Sequence, residues 1–319
     1  MHGRWLTNQP FRLYLPQNWC EDPVRCKEAK IPEDQREFKT KAELAYEVAR
    51  HQLELGVKFD YVGADGFYGH DAELADKLED LGCIYMLDIH CNQQVFFEKP
   101  EYEVPPRKGT RGKTPTVVRP NKPSIRVDHY YKTLKAKDWI KMTVRNTAKG
   151  KLKGEYHYCQ VWVENKTRNS FEKRMLVIRK VKTKKGFEIK FSFTNADLVQ
   201  YTEKGIACMQ AQRFFVEHSI KESKKILGMS QYQTRKWLAW QHQVALNIMI
   251  SCFLLKEKLF CWDDLPLLSA ADIRDWIWFR LYQTHTEEEM IDRMFVRHLK
   301  RQTDINRYYK NEKFSNLAK

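Results

Sequence analysis

Apolar positions change their spacing several times along this chain, and each change marks an element. Over residues 39–55, Ala42, Leu44, Ala45, Val48, Ala49 and Leu53 recur at helical spacing, and Gly56 supplies a stop. Residues 59–65 read as a strand whose apolar centre ends at Asp65, with Gly66 and Gly69 allowing a sharp turn behind it. A second helix is predicted over 71–81, closed by Gly82, and another strand over 83–89. Phe11 to Leu15 alternate up to Pro16 and predict a short leading strand, while 17–38 read as a polar loop. Strands alternating with helices predict parallel pairing in an α/β core.

After His90 the pattern changes. Residues 99–126 are dense in Pro, Gly, Lys and Arg, which predicts an extended, mobile loop. Strand-like runs follow at 139–146, 155–164, 174–181 and 187–193, separated by turn residues, so 91–200 are expected to form a β-rich insertion. Helical spacing returns near Thr202. In the stretch from Gln210 to Lys224, Arg213, Glu217, Lys221 and Lys224 fall on one narrow face, with Val216, Ile220 and Leu227 as an apolar stripe beside it. Residues 231–256 become apolar all round, which predicts burial between layers. Ser269 to Asp272 and Thr286 to Glu289 read as capping boxes opening two more helices, and the basic tail from Arg297 is expected to fray. The resulting division is 1–90 for the first part of the core, 91–200 for the insertion, 201–268 for the second part of the core and 269–319 for a helical tail.

Charge narrows the function. The 319 residues carry 56 Lys and Arg against 41 Asp and Glu, a net +15 that favours a polyanionic partner. From Lys99 through Lys153 there are sixteen basic residues against four acidic ones, so about a sixth of the chain carries +12 of that excess. Such a surface suits phosphate contacts. The eight cysteines contain no C-x-x-C pair, which argues against a structural zinc site or a disulfide framework and fits a reducing cytoplasm. The first fifteen residues lack the apolar centre of a signal peptide, and 244–255 is a short apolar run carrying Asn247 and Ser251, so no membrane is expected.

Two carboxylates stand out: Asp65 at a strand end and Glu217 on the helix after the insertion. Acidic side chains from separate elements can hold two divalent metals about 3.5–4 Å apart, which activate a nucleophile and stabilise a leaving oxygen. Mg²⁺ suits such a site because it keeps waters and substrate phosphates as ligands. Read without a relative, Arg213, Glu217 and Lys221 are equally an ordinary ion-paired helix face.

The residues resemble bacterial insertion-sequence DDE transposases. Arg213-x3-Glu217-x6-Lys224 matches their Tyr-x2-Arg-x3-Glu-x6-Lys signature, and Ala64-Asp65-Gly66-Phe67-Tyr68-Gly69 is similar to the turn carrying their second catalytic Asp. Leu13 to Pro16 with Trp19, and Trp237 to Leu255, resemble flanking segments of the same family. The resemblance implies a ribonuclease-H-like core with a β-rich insert before the last catalytic helix. It also implies Asp65 and Glu217 as catalytic and metal-binding residues, two Mg²⁺, and cutting and joining of double-stranded DNA at element ends and target. Arg213, Lys221 and Lys224 would contact DNA, together with Lys108, Arg111 and Lys113 of the basic stretch. The chain departs from the pattern twice. Gln210 stands where the signature has Tyr, and no Asp or Glu precedes Glu21, so the first catalytic Asp is missing. Asp60 and Asp88 are the candidates to substitute. The chain is therefore expected to be a truncated transposase lacking its first core strands, inactive alone. The alternatives are a binding-only fragment that grips DNA or inhibits a full-length transposase, as homodimer or mixed assembly, and an RNA-binding protein.

Overall fold

The computed structural model describes residues 11–107, 115–147, 150–183, 186–265, 267–282 and 286–317. Residues 11–16 pair with no strand, contrary to the expected leading strand: alternation gives a strand only where a neighbour completes the ladder. The predicted loop over 17–38 instead contains two short helices, α1 (Gln17–Cys20) and α2 (Pro23–Glu28). Asp22 caps α2 by accepting from the Arg25 amide at 2.9 Å, and Pro23 occupies the first helical position, where its missing N–H costs nothing.

Then follow α3 (Lys41–Glu54), β1 (Val62–Ala64), α4 (Gly66–Gly69), α5 (Ala72–Asp80) and β2 (Tyr85–Ile89). Thr40 and Glu43 close a capping box on α3, and Gly56 and Gly82 take the left-handed conformation that ends α3 and α5. The basic stretch contributes two small ladders, β3 (Gln94–Val95) with β6 (Ile125–Arg126) and β4 (Tyr102–Glu103) with β5 (Arg119–Pro120), then helix α6 (Val127–Thr133). Four long strands come next: β7 (Ile140–Thr147), β8 (Gly150–Asn165), β9 (Ser170–Thr183) and β10 (Gly186–Thr194). Helices α7 (Glu203–Lys225), α8 (Trp237–Phe260), α9 (Ala270–Tyr282) and α10 (Glu287–Leu317) complete the chain, and α10 stays helical through the tail expected to fray.

The chain divides into two compact units, the division falling inside α7 between Arg213 and Phe214. The first comprises the segment up to Tyr14, Lys39–Arg145 and Leu152–Arg213. Its sheet has the order β1-β2-β10-β9-β8-β7, with β1 parallel to β2 and β10 antiparallel to both β2 and β9. The strands expected within the insertion thus extend the core sheet rather than form one of their own. Alternation along β2 builds both faces. Tyr85, Leu87 and Ile89 pack with α3 and α5 through Ala42, Ala49, Leu74 and Leu78, and Met86 packs with α7 through Ile206 and Ala207. A strand buried on both sides reads as a continuous apolar run, which is why 83–89 was legible.

The second unit comprises Leu15–Phe38, Asn146–Lys151 and Phe214–Lys319. The Trp237 amide that opens α8 donates to the Ala29 carbonyl at 2.9 Å, and Leu254, Ala270 and Ile273 form a small core with Ile226, Leu227 and Leu268. Helix α8 is not buried all round as expected. Trp237, Gln241, Val244, Asn247 and Leu254 form its buried stripe, while Leu246, Met249, Ile250, Phe253 and Phe260 are exposed. By length and composition alone α8 could cross a membrane. Val216 and Ile220 of the expected apolar stripe, and Ile248 of α8, are also exposed, at 56%, 49% and 39%. In α7 the buried residues are all in the first half, Ile206 to Ala211, so a stripe drawn from the second half chose the wrong face.

The most concentrated polar contact in this unit is fully buried Asp272. It closes the Ser269 capping box, accepts from Arg301 Nη1 at 2.9 Å, and pairs with Arg297 Nε at 2.8 Å. Burial alone would raise its carboxyl, but the Ser269 hydroxyl and amide and the Arg301 guanidinium outweigh that and leave it below its ordinary 3.8. A depressed folded-state value means stability present above the unfolded value and lost as pH falls through the folded one. Asp272→Ala should lower the stability of this unit by about 2 kcal/mol, because it removes a buried carboxylate that accepts charge-assisted hydrogen bonds from half-buried Arg301 and closes the Ser269 cap. Urea unfolding measured from pH 7 down to below 3.8 should also show less acid sensitivity in Asp272→Asn than in wild type.

Candidate active site

The Val62–Ala64 strand pairs in parallel with Tyr85–Leu87, so Asp65 leaves β1 level with Asp88 on β2. Asp65 is exposed, in extended backbone (φ −82°, ψ 178°), and caps α4: its Oδ1 accepts from the Phe67 amide at 3.0 Å. Its carbonyl accepts from the amides of Tyr68 and Gly69, both at 3.0 Å. Burial raises the Tyr68 phenol, and the nearby Asp65 charge raises it further. The turn is held by glycine at one decisive place. A Cβ at Gly69 would stand 1.8 Å from the Asp88 carbonyl oxygen, so only glycine lets α4 lie against β2. A Cβ at Gly66 would meet His90 Cε1 at an ordinary 3.6 Å.

Asp88 points to the other face of β2 from Leu87, toward α7. Its Oδ1 accepts from Ser192 Oγ at 2.7 Å, Ser192 Oγ accepts from Gln210 Nε2 at 2.7 Å, and Arg213 Nη1 donates to Oδ2. The pair is substantially withdrawn from water, with side-chain exposures of 13% for Asp88 and 29% for Arg213. Gln210, at the position where the signature has Tyr, is buried, and its Oε1 meets no donor among the described residues. The sequence reading weighed Asp88 only as a substitute carboxylate and missed this network. Its signals were a lone acid inside an apolar strand run, and Gln210 and Arg213 three residues apart on one helix.

Glu217, Lys221 and Lys224 lie in the exposed second half of α7, which belongs to the second unit. Lys108, Arg111 and Lys113 lie outside the described residues. Around them, Arg107, Arg119, Lys132, Lys135 and Lys137 are exposed, whereas Lys122 donates to Glu98 at 2.6 Å and Arg126 pairs with Asp128 at 2.8 Å. A cavity of about 800 Å³ in the first unit is lined by Lys41, Phe67, His70 and His90, among others, beside α4. Lys41 Nζ lies 5.1 Å and 5.2 Å from the ring centres of Tyr14 and Phe67, an exposed cationic and aromatic edge two residues from Asp65. Among the described residues no three His, Cys, Asp or Glu side chains gather to hold a metal ion.

Residues 5–151 match the family model described as DDE superfamily endonuclease. Over that segment, which is under half of the 319-residue chain, the sequence is similar to the DDE endonucleases. No curated protein matches it. The matched segment holds Asp65, its turn and Asp88, and ends before α7, so Glu217 and the signature around it lie outside the match. The DDE endonucleases are transposase-type nucleases that act on DNA and generally use divalent metal ions. The mixed α/β sheet agrees with a DDE nuclease fold.

The Gly69 contact makes a sharp prediction. Gly69→Ala should displace α4 and cost on the order of 3 kcal/mol, as overpacking against fixed backbone does. Gly66→Ala should be close to neutral by the same urea titration. Equal effects at the two positions would show that the 1.8 Å approach does not govern the turn.

Proposed function

We propose that this chain is a DNA-binding transposase polypeptide in which Asp65 and Glu217 are two of the carboxylates of a DDE site. The observation that carries the reading is the placing of Asp65: an exposed carboxylate at the C-terminal end of a parallel strand, inside the segment that matches the family. Its partner Glu217 rests on the Arg213-x3-Glu217-x6-Lys224 spacing, which resembles the family signature. The reading includes a ribonuclease-H-like core and double-stranded DNA, both element ends and target, as substrate. Mg²⁺ bound there would supply an activated oxygen nucleophile and stabilise the leaving oxygen.

The chain's own residues have simpler tasks. Asp65, held on the α4 cap, offers one carboxylate oxygen beyond the one that accepts from Phe67. Lys221 and Lys224 are exposed and suit phosphate contacts, as do Lys108, Arg111 and Lys113 by composition. Asp88 is no ready third ligand, because Arg213 and Ser192 already occupy both its oxygens. The chain alone therefore binds DNA in the cytoplasm and does not cut it. A second reading keeps the binding and drops the chemistry: an inactive partner of a full-length transposase or of a second copy. The withdrawn state of Asp88 favours it.

Duplex binding measured against salt, with a Mg²⁺-dependent nicking assay on the same samples, tests both parts. Replacing Lys108, Arg111, Lys113 and Arg119 by Ala should flatten the plot of log affinity against log salt by about 0.9 for each phosphate no longer neutralised. Lys122→Ala should change it least, since Lys122 is paired with Glu98. No duplex binding, or robust cleavage by this chain alone, would refute the proposal.

A further inference from the structure

The signature arginine is the obvious phosphate ligand of α7, yet it is already engaged. We propose that Asp88 is a positioning residue that keeps Arg213 as an internal counter-ion, so that the α7 contacts to DNA are made by the exposed lysines and not by Arg213. This rests on the DNA-binding reading above.

Three observations carry it. First, Arg213 donates to an Asp88 carboxylate that is itself only 13% exposed, so drawing the guanidinium away would leave a mostly buried carboxylate without its cation. That penalty falls on any phosphate competing for Arg213, and not on one binding Lys221 or Lys224. Second, Asp88 is tied down from both sides. Its main chain lies under Gly69, and its second oxygen takes the Ser192 hydroxyl at 2.7 Å. Third, Gln210 holds the same Ser192 from one turn earlier on α7, at 2.7 Å. Gln210 and Arg213 are neighbours on one helix face, so α7 is fixed to β10 through Ser192 and to β2 through the Asp88 carboxylate, which Ser192 also reaches. A tyrosine at position 210 would offer one hydroxyl group where the Gln210 amide offers two donor hydrogens and an acceptor.

The experiment compares duplex-DNA salt slopes for four full-length variants. Arg213→Gln should leave the slope unchanged, while Lys224→Gln should flatten it by about 0.9. Asp88→Asn keeps the shape and an acceptor for Ser192 but removes the charge that compensates Arg213. Its slope should steepen by about 0.9, and Arg213→Gln added to it should restore the wild-type value. Flattening by Arg213→Gln alone, or an unchanged slope in folded Asp88→Asn, overturns the proposal. If Asp88→Asn does not fold, as judged by circular dichroism, the Arg213→Gln arm decides by itself. A second readout does not need DNA. Phenylglyoxal modification followed by mass spectrometry should find Arg213 slow to react in wild type and several-fold faster in Asp88→Asn. Equal rates would also overturn it. Absence of DNA binding in every variant with the protection intact would defeat the functional reading and leave only the engagement of Arg213 by Asp88 standing.

Discussion

The carbonyl oxygen of Asp88 occupies the space a side chain at residue 69 would need, and much of the first unit follows from that contact. It seats α4 directly on β2, and α4 begins at the Asp65 cap, so the exposed carboxylate is fixed by main-chain packing rather than by long side chains. The strand beneath cannot shift to relieve a clash. Tyr85, Leu87 and Ile89 are locked into one buried cluster, and Met86 into the other. The Asp88 side chain then reaches α7 from the opposite face. One strand therefore positions the candidate carboxylate on one side and the signature arginine on the other.

The charge distribution has two distinct parts. Arg213, Arg174 and Arg297 are engaged with Asp88, Asp76 and the Asp272–Asp275 pair respectively, where they hold elements together. Lysines on the second half of α7, and Arg107, Arg119, Lys132, Lys135 and Lys137 of the 99–153 stretch, are exposed and contribute to the +15 net charge. Long-range attraction to a polyanion depends on the second group, whereas local order depends on the first.

How much of this was legible in the sequence depended on whether the signal was local. Helix α3 was read to within a residue or two from its apolar spacing and Gly56 stop, and the boxes at Ser269 and Thr286 because capping involves only a few consecutive residues. The strands from 139 to 193 were found through their turns, although their joining of the core sheet through β2 and β10 needed the structure. The helices at 17–28 were missed despite Asp22-Pro23, since each is too short to show a period. Val216, Ile220 and α8 failed for another reason: they are apolar on faces the fold leaves exposed, and periodicity does not say which apolar face is covered. Of the candidate site, Asp65 and its glycines were legible as a strand-end motif. The Asp88–Ser192–Gln210–Arg213 network was not, because its members are up to 125 residues apart in sequence.

We proposed that Asp65 and Glu217 serve one metal-binding site. The direct measurement is a Mn²⁺ titration followed by electron paramagnetic resonance on wild type, Asp65→Asn, Glu217→Gln and the double variant, each with bound duplex DNA. If the two carboxylates share a site, each single variant weakens the same class of bound Mn²⁺, and the double variant falls short of the sum of the two single effects. Full Mn²⁺ binding in Glu217→Gln, alongside its loss in Asp65→Asn, would contradict the account.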